Sequence, residues 1–124
     1  MESSRAFSTF AKTRVGGLIV FPDGLFIAET SQIVALAARH RIPAMYGVNE
    51  YAAAGGLMTY GADLVGMFKL GASFVDKILK GARPADLPIA QPDTWKLLIN
   101  LRTARALGLT IPPSLLARAD QVIE

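Results

Sequence analysis

Three short apolar runs, each closed by a glycine, proline or aspartate turn and each followed by a helix-forming stretch, decide most of what this chain can become. They are Leu18-Ile19-Val20-Phe21, Pro43-Ala44-Met45-Tyr46 and Leu57-Met58-Thr59-Tyr60. Runs of this length, bounded by turn residues, read as buried strands. Pro22-Asp23-Gly24 stops the first, Gly47-Val48-Asn49 the second and Gly61-Ala62-Asp63 the third. Between them lie helical patterns: Ala28 to about Arg41, with Ile33, Val34, Leu36, Ala37 and Ala38 on the apolar side, and a brief helix from Asn49 to Ala54 ended by Gly55-Gly56. The clearest helix runs from Leu64 to about Lys80, where Leu64, Met67, Phe68, Ala72, Val75, Ile78 and Leu79 recur at three and four residues. Strands separated by helices pair in parallel through right-handed crossovers. The expected fold is therefore α/β, an open, wound parallel sheet with flanking helices.

The flanks are read the same way. Phe7 to Lys12 looks like the end of an amphipathic helix, and Arg83 to Pro88 with Gln91-Pro92-Asp93 is an irregular, proline-rich connector. Trp95 to Asn100 then reads as a strand, Leu101 to Leu107 as a short helix stopped by Gly108, and Pro112-Pro113-Ser114 as the opening of a last helix through about Ile123. Trp95 is expected to serve core or interdomain packing. A chain of 124 residues, 52% of them hydrophobic, is one globular domain or a piece of one. Thirteen basic and ten acidic side chains are scattered rather than grouped, so nucleic acid is not an expected partner. No cysteine is present, which excludes disulfides, thiol nucleophiles and Cys-based metal sites. The first ten residues lack the basic start and apolar stretch of a secretory signal, and the apolar region Gly17 to Ala28 is interrupted by Pro22 and Asp23.

In a wound parallel sheet, ligands bind outside the carboxyl ends of the strands. The strand endings here bring Pro22 and Asp23, Tyr46, Val48 and Asn49, and Tyr60 and Asp63 toward one rim. On one reading Asp23 or Asp63 holds an ammonium or hydroxyl group, Asn49 offers a paired donor and acceptor, and the two tyrosine rings cover apolar ligand surface. On the other, Asn49 and Asp63 are helix caps and Asp23 is a turn residue. Because a capping side chain is partly committed to backbone donors, Asp23 ranks above Asp63 as a direct contact. Catalysis has less support. The single histidine, His40, sits near a helix end, where it compensates the dipole, and it has no cluster of partners for a metal. Gly55-Gly56 precedes a strand instead of following one, and no Gly-x-Ser-x-Gly elbow occurs. No cofactor or metal is expected.

The runs Leu18 to Asp23, Arg41 to Tyr46 and especially Ala54 to Asp63 resemble the carboxyl-terminal part of ABC-transporter substrate-binding proteins of the tryptophan and tyrosine uptake type. Val75 to Pro88 and Asn100 to Pro113 are similar to the same family, and the resemblance spans about residues 15 to 124. It implies a type 1 periplasmic-binding-protein fold, in which two wound lobes close on a small molecule such as an amino acid without catalysis. It also implies an ABC permease as partner and a periplasmic setting, or the cytoplasm if Met1 is a natural start. Residues 1–86 would then be most of the second lobe, and 87–124 a crossover strand and helices packing on the first. Pro22-Asp23 and Val48-Asn49 match positions where the family's second lobe faces the cleft. Two other readings stand beside this one: an effector-sensing lobe of a regulator, and a small α/β enzyme using Asp23 and Asp63 as an acid and base pair. An unpaired edge at Trp95 to Ile99 would further predict a homodimer or swapped oligomer.

Overall fold

The apolar runs become strands because the branched and aromatic residues at alternate positions find a covered face. In the computed structural model, which describes residues 2–124, helix α1 (Glu2–Thr13) leads into β1 (Leu18–Val20). A short helix α2 (Gly24–Ala28) and α3 (Thr30–Arg39) then lead to β2 (Ala44–Tyr46). Helix α4 (Glu50–Ala53) connects β2 to β3 (Met58–Ala62), and α5 (Leu64–Leu79) follows. The remainder comprises β4 (Trp95–Asn100), α6 (Leu101–Leu107), α7 (Pro113–Leu116) and β5 (Gln121–Ile123).

The five strands form one sheet in the order β1-β2-β3-β4-β5. β1 and β2 are parallel with Val20 beside Tyr46, β2 and β3 are parallel with Tyr46 beside Thr59, and β4 and β5 are parallel with Ile99 beside Val122. The Asn100 N–H donates to the Leu57 carbonyl at 2.9 Å, and the Asp63 N–H donates to the Thr94 carbonyl at 3.1 Å. Numbers rise along β3 as they fall along β4, so this pair runs antiparallel and the sheet is mostly rather than wholly parallel.

Two compact units are present. The first comprises Met1–Gly61 and Lys96–Glu124. Its core is built on Val20, Tyr46 and Thr59 from neighbouring strands, with Ile33, Val34, Leu36 and Ala37 of α3 also buried. A residual cavity of about 20 Å³ is bounded by Val34, Ala37, Ala44, Tyr46, Leu57 and Thr103, which puts α3 and α6 over that face of the sheet. Each such apolar side chain contributes roughly 1.5–3 kcal/mol on full burial. The second unit, Ala62–Trp95, contains α5, a single 3-10 turn at Pro84–Asp86 and an extended segment, so residues 86 and 87 both lie inside it. The apolar stripe expected on α5 is present, yet the helix buries none of it: Phe68 is 78% and Leu79 82% exposed.

Several expectations change. The helix expected from Ala28 to about Arg41 is α3, which starts at Thr30 and ends at Arg39; a further short helix, α2, precedes it, because Asp23 caps Gly24–Ala28 and the chain leaves helical geometry at Glu29 (φ −98°, ψ 17°). The helix expected through Ile123 stops at Leu116, and Gln121–Ile123 instead pairs with β4. Trp95 to Ile99 is no sheet edge, since β4 lies between β3 and β5, and Ile99 is fully buried. That removes the ground on which a dimer through this strand was expected. Trp95 itself is half exposed rather than in the core. Among the described residues no helix is long and apolar enough to cross a membrane.

Candidate functional site

The site begins with two glycines at strand ends. A Cβ on Gly47 would meet Pro22 Cδ at 2.6 Å and Cγ at 2.9 Å, so the proline ring occupies the place of a side chain. A Cβ on Gly61 would run into the Gly47 carbonyl. The chain leaving β2 is therefore sandwiched between the turn after β1 and the end of β3, an approach only glycine permits. The Gly47 N–H also donates to the Val20 carbonyl at 3.0 Å, carrying the ladder one residue past β2. This nest packs together the turn after β1, the chain leaving β2 and the end of β3, and Asp23, Asn49 and Tyr60 lie within two residues of it in sequence.

Asp23 is exposed, and its Oδ1 accepts from the Leu25 N–H at 2.9 Å. It is the amino-terminal cap of α2. Tyr51 ties the same helix down, donating its hydroxyl to the Phe26 carbonyl at 2.6 Å. Asn49 is not a side-chain cap of α4; its Oδ1 accepts from the hydroxyl of fully buried Thr59 at 2.9 Å. The half-buried amide thus has its oxygen committed inward, and its nitrogen makes no hydrogen bond among the described residues. Asp63 opens α5 without a side-chain cap bond to that helix. Of the two carboxylates it is therefore Asp23, expected as a turn residue, and not Asp63 that makes a side-chain cap bond.

The two tyrosines part company. Register sets Tyr46 beside Thr59, so Tyr46 and Tyr60 point to opposite faces. Tyr46 is 1% exposed and stacks on Tyr51 with ring centroids 4.4 Å apart. It is a core residue, and the expectation that its ring covers a ligand is overturned. Burial, and then the neighbouring Tyr51, push its hydroxyl up to about 12. Burial likewise raises Tyr51. Val48 is also buried, whereas Pro22 and Tyr60 are exposed. Sequence reasoning missed Thr59, the donor that orients Asn49; its signal was a hydroxyl at a strand position in phase with buried neighbours.

Asp63 lies in the second unit, where it borders a groove of about 490 Å³ with Lys69, Ser73, Gln91, Asp93 and Thr94. Among the described residues no group of three or more His, Cys, Asp or Glu could hold a metal ion. His40 caps the end of α3 and stacks on Phe7, with centroids 6.2 Å apart.

Comparison with known proteins adds the family. No curated protein matches the chain. A solved structure of an ABC domain in complex with L-Trp from Streptococcus pneumonia is 28% identical with a TM-score of 0.89, covering 98% of this chain and 41% of that one. A conserved domain protein from Vibrio cholerae is 24% identical with a TM-score of 0.87, again over 98% of this chain and 40% of that one. A ligand-free, open substrate binding protein with adhesive properties from Clostridium difficile is 21% identical with a TM-score of 0.65, covering 98% of this chain and 40% of that one. The chain thus spans about 40% of the length of the structures it resembles. Residues 4–123 match the family described as ABC transporter substrate binding protein, and with nearly its whole length matched the chain belongs to that family.

Proposed function

We propose that this chain contributes one wall of a binding site for a small amino-acid-like solute, which an ABC uptake system receives without any bond being made or broken. The observation that supports the reading is the close packing of Pro22, Gly47 and Gly61, which lie within two residues of Asp23, Asn49 and Tyr60 in the chain. An exposed carboxylate suits an ammonium group, an amide suits a polar backbone, and an exposed ring suits apolar surface. The similarity to a domain solved with L-Trp supports an amino acid as the solute class.

The Ala62–Trp95 unit fits the same reading. The exposed apolar stripe of α5 suits packing against a further part of the binding protein, while β4 returns the chain to the first unit. A permease as partner and a periplasmic place of action follow from the family. Calorimetric titration with the common L-amino acids tests the reading. Saturable binding that Asp23→Asn weakens about tenfold, with the fold intact, supports it; a flat response to every amino acid contradicts it.

A further inference from the structure

We infer that buried Thr59 is a positioning residue: by donating to the Asn49 amide oxygen it turns the amide so that only its nitrogen faces outward, and this point of the wall selects a hydrogen-bond acceptor, such as a carboxylate, on the solute. The inference rests on the binding reading above and deepens it by fixing the polarity of one contact and naming the residue that sets it.

Register puts the Thr59 side chain in the core. Val20, Tyr46 and Thr59 stand side by side on neighbouring strands and all three are buried, Thr59 completely. The Thr59 hydroxyl donates to Asn49 Oδ1 at 2.9 Å and makes no other side-chain hydrogen bond among the described residues. An asparagine amide has two ends of similar size, one donating and one accepting. Were it turned over, its nitrogen would face the hydroxyl, and the Thr59 proton would be buried with no acceptor, which is costly. The buried hydroxyl therefore decides which end of Asn49 faces out.

The outward end is available. Asn49 makes no side-chain cap bond to α4, and its nitrogen has no hydrogen-bond partner among the described residues. Among those residues no buried side-chain nitrogen or oxygen lacks a partner, so the nitrogen of this half-buried amide reaches the surface. Asn49 follows the nest closely, since the Val48 nitrogen, one residue back, lies 3.4 Å from where a Gly61 Cβ would be. An amide nitrogen donates and does not accept, so it favours a carboxylate or carbonyl oxygen and gains nothing from an ammonium.

Calorimetry of the whole chain with L-tryptophan and with tryptamine, the same molecule without its carboxylate, tests the inference. Wild type should bind L-tryptophan about tenfold more tightly than tryptamine. Thr59→Val should cut that preference about fivefold, whereas Thr59→Ser, which keeps the hydroxyl, should stay within about twofold of wild type. Asn49→Asp still accepts from Thr59 but presents a charged oxygen in place of the nitrogen, so it should lose L-tryptophan by about tenfold while keeping tryptamine. Should Thr59→Val fail to fold, Asn49→Asp decides. An equal loss of both ligands in Thr59→Val, a Thr59→Ser chain no better than Thr59→Val, or an unchanged preference in Asn49→Asp overturns the inference and leaves the binding reading in place. Wild type that binds the two ligands equally, or that binds other amino acids but not L-tryptophan, does the same. Absence of saturable binding of any amino acid by wild type overturns the binding reading and the inference with it.

Discussion

The ring of Pro22 stands where a Gly47 side chain would be, with Cδ only 2.6 Å from the position of a Cβ. That contact is the mechanical centre of the border, because it stacks the turn after β1 on the chain leaving β2. Gly47→Ala should therefore force the two turns apart. Overpacking of this kind costs about 1–3 kcal/mol. Urea denaturation is expected to show a loss of that size for Gly47→Ala and a larger one for Gly61→Ala, whose methyl would meet backbone. Gly71→Ala, in a helix and with open space around it, should instead stabilise by roughly 0.5–1 kcal/mol.

Asp23 serves the helix it caps as well as any ligand, and the two roles separate by substitution. Asp23→Ala removes the acceptor for the Leu25 N–H and should cost about 0.5–2 kcal/mol. Asp23→Asn keeps a capping oxygen and removes the charge. Thermal denaturation should find the asparagine variant close to wild type and the alanine variant lower.

The bond from Thr59 to Asn49 predicts an asymmetric pair of substitutions. Asn49→Ala leaves the hydroxyl of fully buried Thr59 without its acceptor, at about 1–3 kcal/mol. Thr59→Val removes the buried donor itself and leaves half-buried Asn49 access to water, so it should cost less. A double-mutant cycle by chemical denaturation should return a favourable coupling between the two.

Tyr46 makes stability sensitive to alkali. Its folded pKa, about 12, lies above the ordinary 10.0, so the folded chain holds this proton more tightly than the unfolded one. The contribution is complete below pH 10 and disappears as pH rises through about 12. A hydroxyl held this much more tightly in the folded chain is worth roughly 2–3 kcal/mol. Denaturation midpoints for wild type should fall across that window, and Tyr46→Phe should show a shallower fall.

Most of the first unit could be read from residues alone, since Leu18–Val20, Ala44–Tyr46 and Met58–Ala62 combine branched or aromatic side chains with turn residues at their ends. β5 could not, because three residues at the chain end gain their strand geometry only from pairing with β4. The antiparallel entry of β4 likewise depends on bonds to Leu57 and Asp63, more than thirty residues back in the chain. Helix α2, only five residues long, is too short for periodicity to reveal. The places of Asp23 and Asn49 just after strand ends were legible from the turn residues, whereas the opposite facing of Tyr46 and Tyr60 needed the register. Alternation gave a partial hint, since Ala44, Tyr46 and Val48 share one phase and all three are buried.

Everything functional here turns on the border at Asp23, Asn49 and Tyr60 receiving a solute. The most direct measurement is an amide chemical-shift map of the isotopically labelled chain during a titration with L-tryptophan up to the millimolar range. Shifts that saturate together and concentrate at residues 21–24, 47–49 and 60–61 are the predicted result. Shifts confined to other surfaces, or none at all, would contradict it.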